Sequence, residues 1–378
     1  MRKIIAVFIS FVVLLTIVSP LYTIADDTTN SAKAYVLMEA TTQTVLDSEN
    51  ADLRLNVGYL SKLMTILLIA EDIETGKYLM STELTASSAV TGTKGAVIWL
   101  EAGDKMTVEE LLKAVIIGNA NDAVTVLAEK SEQSVENFVM RMNTEAFDLG
   151  LRNTAFYSPY GYYDEREYTT AHDMAVICSK IAEYGFLRPI FKTWRDFVKS
   201  GQTELVSENK LANSYERHVG FKAAHSEETG YNIAEGGMDE AGTCYISVVL
   251  GADSEDEMYR QAKSLIRSGF TDYKVTATMF PDEMLMPIKV RGGCDSAVEI
   301  RIRGQSRLVV PKAVKELGTA VVLPEYLTAP VKSGQKIGTA VFYSDKNCVC
   351  EIDIITDESV EKLSFAYVLK KTLCNIMK

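Results

Sequence analysis

Near Val275 the hydrophobic pattern of the chain changes period, and that change limits the possible folds more than any other feature. Before it, segments such as SKLMTILLIAEDIE, TVEELLKAVIIGNANDAVTVLAEK and SVENFVMRMNTEAFDLG repeat apolar residues at helical spacing, with Gly150 placed as a C-cap. After it, to about residue 356, the chain reads AVEIRIRG, RLVVP, AVVLP, KIGTAVFY and CVCEIDIIT, short runs divided by turn residues with no helical period. A chain of 378 residues is long enough for two cores. The expected arrangement is a mixed helix-and-strand body over 34–274 and a small all-β unit over 275–357.

Within the body, AYVLMEATTQTVLDSEN predicts a β-hairpin and YISVVLGA a buried strand. SKLMTILLIAEDIE is apolar on nearly all sides and predicts a buried helix. TVEELLKAVIIGNANDAVTVLAEK predicts one amphipathic helix. TTAHDMAVICSKIAEYG predicts a helix capped by Thr and closed by Gly, and DEMYRQAKSLIRSGF a further amphipathic one.

The two ends speak to compartment. Arg2 and Lys3 precede an apolar run from Ile4 to Val18, then Pro20 and Thr23-Ile24-Ala25, the layout of a secretory signal over 1–25, with a polar linker over 26–33. The alternative is an uncleaved anchor helix, for which the run is short. Residues 358–378 predict an amphipathic helix from Ser359, with Phe365, Ala366, Leu369, Leu373, Ile376 and Met377 on one face and Lys370, Lys371 and Lys378 beside or opposite it. It is a candidate membrane anchor, the alternative being a helix packed on the body. A net charge of −12 argues against a nucleic-acid partner. Six cysteines, at 178, 244, 294, 348, 350 and 374, are too sparse for a disulfide framework and read as buried free thiols. No cofactor signature and no metal-ligand spacing is present in the sequence.

The chemistry enters through a resemblance. AKAYVLMEATTQTVLDSENAD, SSAVTGTKGAVIWLEAGDKMTVEELLKAVIIGNANDAVTVLAE and LGLRNTAFYSPYGYYDEREYTTAHDMAVI, together with VKSGQKIGTAVFY in the β unit, resemble the low-molecular-mass penicillin-binding proteins, the serine D-Ala-D-Ala carboxypeptidases of peptidase family S11. The resemblance implies an α+β fold: a penicillin-binding, β-lactamase-like transpeptidase domain, an antiparallel sheet with packed helices, followed by a small all-β domain. It also implies three motifs meeting in one cleft.

For S-x-x-K, whose Ser and Lys lie one turn apart so that the amine reaches the hydroxyl, the matching residues are Tyr59-Leu60-Ser61-Lys62. Lys62 is kept and a phenol stands where the nucleophile belongs, reaching about 4 Å too far for the oxyanion hole by its ring dimensions. Ser61 points about 100° away around the helix and cannot replace it. For S-x-N the residues are Asn119-Ala120-Asn121, so the amide Asn121 is kept and the relay hydroxyl is lost. For K-T-G they are Lys222-Ala223-Ala224, followed by His225. The Thr hydroxyl that would meet a substrate carboxylate is missing, and Ala224 narrows the strand. Both cations, Lys62 and Lys222, and the amide Asn121 persist while all three aliphatic hydroxyls are gone, which predicts an electropositive cleft. His172, His218 and His225 read as solvated or structurally bonded.

The expected catalytic positions are thus Tyr59, Lys62, Asn119 and Asn121, and the substrate-binding positions Lys222, Ala223, Ala224 and His225. Three readings follow. The first is a catalytically silent homologue that binds peptidoglycan stem peptides, wall fragments or a protein partner. The second is an active carboxypeptidase trimming stem peptides, and the third a purely structural protein. The lost hydroxyls favour the silent readings, because losing a nucleophile removes several powers of ten in rate.

Overall fold

The structure, a computed structural model, describes residues 32–276, 285–303, 307–315, 317–344, 347–365 and 367. The body is organised by a five-stranded antiparallel sheet. Strands β1 (Ala34–Glu39) and β2 (Thr44–Glu49) form the expected hairpin. Strands β3 (His218–Ser226), β4 (Gly230–Met238) and β5 (Cys244–Ala252) complete it in the order β2-β1-β5-β4-β3. All nine residues of β5 are buried, because helices cover both faces of the sheet, and a doubly covered strand reads as a continuous apolar run.

One face is covered by α1 (Lys62–Glu74), whose flanks are nearly all buried, and by the helices around it. The opposite face is covered by a later helix, Glu255–Asp272. The segment expected as one helix over TVEELLKAVIIGNANDAVTVLAEK is two. Helix α2 (Val108–Ile116) begins with a capping box in which the Thr107 hydroxyl and the Glu110 side chain exchange bonds, and α3 spans Asn121–Glu132. Asn119 between them has φ +55°, a left-handed conformation that asparagine tolerates and a helix interior excludes. The apolar periodicity runs through the break because both helices face one core, so the pattern alone hid it.

Helix α4 (Val135–Asp148) is capped by Ser134, and Gly150 beyond its end has φ +78° as expected. Helix α5 (Ala171–Glu183) starts at the Thr170 cap, and α6 (Glu255–Asp272) at the Ser254 cap. Each side-chain cap contributes about 1 kcal/mol to its helix.

The second unit is all-β among its described residues. A four-stranded sheet runs Ile300–Ile302, Asn347–Thr356, Lys336–Ser344, Gly318–Val322, beside a three-stranded sheet built on Ile288–Arg291. Its core gathers Val290, Val310, Phe342 and Ile354. Tyr273–Val275, immediately after α6, already pairs with Val309–Pro311. The expected helix from Ser359 is corrected at its start. Val360 bridges Val331 and Lys362 bridges Gly293, so residues 360–362 lie extended along the β unit. Phe365 is 83 % exposed, and residues 366 and 368–378, like the expected signal over 1–25, lie outside the described residues.

Cys178 and Cys244 are buried free thiols as expected, their pKa values pushed up by burial. Cys348 is exposed and Cys294 and Cys350 half-buried, because the small unit has too thin a core to cover them. Cys374 is outside the described residues.

Candidate functional site: a cleft closed by a phenol

The cleft lies between the start of α1 and the free edge of β3. Tyr59 sits on a single 3-10 turn, Gly58–Ser61, that feeds into α1 at Lys62. Its position is set from behind by Gly161. A Cβ at Gly161 would come 2.3 Å from the Tyr59 Cα, and its φ of +72° also requires glycine. From that turn the phenol spans the cleft. The Tyr59 hydroxyl donates to the His225 carbonyl at 2.7 Å, and the His225 N–H donates back to it at 3.3 Å. The two outward-facing backbone groups of β3 at this point are therefore both occupied by one side chain. The His225 ring itself stacks on Tyr231 at 4.0 Å.

The lysines are less available than expected. Lys222 is buried, and its ammonium donates to the Val115 and Ile116 carbonyls at 3.1 and 2.9 Å, closing the C-terminal end of α2. Burial lowers its pKa to about 8. Lys62 is buried with its nitrogen 5.2 Å from the Tyr59 ring centroid. Burial, then the Lys222 charge, hold its pKa well below the usual lysine value.

On the third side, Asn121 donates its amide to the Lys94 carbonyl at 2.7 Å and to the Tyr162 hydroxyl at 3.3 Å, and Tyr162 donates to the same carbonyl at 2.7 Å. Asn119 is buried with its side-chain oxygen unbonded, as is the Asn121 oxygen. Ala224 and Lys222 face the helical core, while Ala223 packs on the α6 side of the sheet, the alternation a strand imposes.

This geometry can be set beside known proteins. Residues 22–254 match the family model of the D-alanyl-D-alanine carboxypeptidases, peptidase S11, and residues 273–362 match that of the penicillin-binding protein 5 C-terminal domain. The chain belongs to the D-alanyl-D-alanine carboxypeptidase family. It is 29 % identical over 349 residues to the D-alanyl-D-alanine carboxypeptidase DacF of Bacillus subtilis, covering 91 % of this chain and 90 % of that one. To DacC of Escherichia coli it is 28 % identical, covering 88 % and 85 %. The solved penicillin-binding protein 5 of Haemophilus influenzae aligns with a TM-score of 0.77 at 25 % identity, covering 88 % of this chain and 98 % of that one. The family assignment and the two-unit fold expected from the sequence both stand.

The Tyr59 phenol meets His225 and the Lys62 charge meets Lys222 here, and two acidic groups stand beside them that no motif contains. Glu208, exposed on the segment entering α6's side of the sheet, acts on Tyr59, Lys62 and Lys222 together. Burial and then the Glu208 carboxylate raise the Tyr59 pKa, so the phenol keeps its proton and is not a phenolate nucleophile. With Glu208 at the mouth and both lysines buried, the expected electropositive character is offset where a ligand would enter.

The second acidic group is Glu167, buried beside Ser61. Burial raises its pKa to about 7, against the Tyr157 N–H, which donates to it at 3.1 Å, and the Ser61 side chain, both of which lower it. Ser61 is 1 % exposed, so it is closed to substrate, as its turn angle predicted. Glu208 and Glu167 left no signal in the sequence because each is an ordinary loop glutamate until the chain folds.

Proposed function

We propose that the protein is an exported cell-wall member of the carboxypeptidase family that binds wall peptide or a partner without acylation. The observation that carries this reading is the Tyr59 phenol bonded to both backbone groups of His225. A nucleophile needs a free lone pair aimed at a carbonyl, and this oxygen is protonated, donating and accepting at once. The carboxypeptidase activity for which DacF and DacC are named is theirs; here it would need a hydroxyl that the cleft does not place. The test is incubation with a fluorescent penicillin followed by mass analysis. No covalent adduct is expected, and Tyr59→Ser should acylate only slowly, because Asn119 and Ala223 still lack the supporting hydroxyls and catalytic groups act as a unit. Stoichiometric labelling of the unmodified protein would overturn the proposal.

The same reading puts the mature chain outside the cytoplasm, with residues 364–378 as a reversible contact to anionic membrane. Their lysines would each add about 1 kcal/mol near such a surface. No described helix is long and apolar enough to cross a membrane. Liposome sedimentation with and without residues 364–378 checks the contact; equal pelleting of both forms would remove it.

A further inference from the structure

Trp99 stands in solvent on a backbone that is pinned from both sides. The residue is 73 % exposed, and its φ of +54° is a left-handed conformation that a bulky residue adopts only at a cost in free energy. Among the described residues with positive φ it is the only aromatic one. The Ile98 N–H donates to both oxygens of the buried Asp122 at 3.1 and 3.0 Å, and the Leu100 N–H to one of them at 3.0 Å. The Trp99 carbonyl accepts from the Lys199 ammonium at 2.8 Å, and that ammonium pairs with Asp104 at 3.4 Å. Lys199 lies at the tip of the hairpin formed by Arg195–Val198 and Thr203–Val206, so the loop is tied both to the start of α3 and to a second element.

The burial of Ile98 and Leu100 explains why residue 99 faces outward, but not why it is tryptophan. A glycine would take φ +54° without strain, and a ring this exposed gains little from packing. A large, rigid side chain held ready at a cost to the fold suits a contact surface, because its ordering is complete before anything binds. The bonded groups around it are polar: Lys199, Asp104, and Glu101, whose N–H donates to Asp104 at 3.1 Å. Among the described residues Lys199 keeps a third N–H, and Asp104 its Oδ1, without a bonded partner.

We propose that Trp99 is a stacking platform for a pyranose ring of a glycan strand, with Lys199 and Asp104 meeting the hydroxyls at the rim of the ring. The platform, which rests on the wall-binding reading above, meets the sugar of the wall rather than its peptide. A pyranose has a face of C–H groups and a rim of hydroxyls. The face suits an indole, whose own ring face is electron-rich, and the rim suits a charged donor and a charged acceptor side by side. A protein partner would instead need about 1,000 Å² of complementary surface around an apolar core. The charged pair beside Trp99 interrupts any such core.

The protein has two tryptophans, at 99 and 194, so Trp194→Phe leaves Trp99 as the only indole reporter. Titration of that variant with the tetramer of N-acetylglucosamine should shift the Trp99 emission to the blue and saturate. The tetramer carries no peptide, so its failure to bind is separate from any failure of the stem-peptide or penicillin tests. By calorimetry, Trp99→Gly should weaken binding at least about tenfold. The same variant should unfold at a urea concentration no lower than that of the parent, because glycine relieves the left-handed strain. Lys199→Met keeps the ring but frees its carbonyl, and should weaken binding about threefold through lost preorganisation. No emission change, parental affinity in Trp99→Gly, or clearly earlier unfolding of Trp99→Gly would overturn the proposal. So would an emission change produced by a sugar-free stem peptide and not by the tetramer.

Discussion

Strand β3 meets buried polar chemistry in two places, and the two are finished differently. At its start every group is matched. The His218 ring bonds Glu235 at 2.7 Å and the Phe191 carbonyl at 3.0 Å, and Asn209 donates to the other Glu235 oxygen at 2.8 Å. On the segment that joins α2, whose last carbonyls Lys222 of the same strand caps, to α3, the Asn119 and Asn121 side-chain oxygens are buried and unbonded. Native cores rarely leave such atoms alone. The contrast separates a part of the molecule built to be closed from a part whose polar atoms were placed to meet something else. The phenol closes the cleft without bonding either oxygen.

The first way to break the comparison is at the start of β3. Glu235→Ala should destabilise the protein by about 3–5 kcal/mol in urea unfolding, because it strands a buried imidazole and a buried amide. A loss below about 1 kcal/mol would mean the matched network contributes no more than the unmatched one.

The second acts through pH beside Ser61. Glu167 has a folded pKa of about 7 against an ordinary value of 4.5. The folded state therefore holds a proton that the unfolded state releases, so stability falls as pH rises from about 4.5 to 7 and is level above. At 1.36 kcal/mol per unit, the loss is at most about 3.5 kcal/mol. Glu71, raised to about 7 by burial and by Glu145, adds to the same window, so the difference between the parent and Glu167→Gln is what isolates Glu167. The variant should lose part of this slope and gain stability at pH 8. An identical slope in both proteins would show that Glu167 is not the buried acid described here.

The smallest effect sharpens the contrast. Asn119→Gly keeps the left-handed backbone and deletes an unbonded oxygen, so its cost should be within about 1 kcal/mol in either direction. A loss as large as that of Glu235→Ala would place an unseen bond on Asn119 and erase the distinction between the two places.

What the sequence by itself determined was the family and the class of the fold. Periodicity separated body from β unit, and the Thr before AHDMAVICSKIAEYG marked a helix start that the structure places at Thr170. These are local properties, legible because spacing and capping act within a few residues. The break at Asn119 was hidden because two helices sharing one core keep one apolar period. Only the tertiary structure decided that the phenol seals β3 at His225, that Lys222 closes α2, and that Glu208 and Glu167 sit beside the motifs. Burial and through-space charge depend on residues more than 100 positions apart in the chain, and no local pattern encodes which of them will meet.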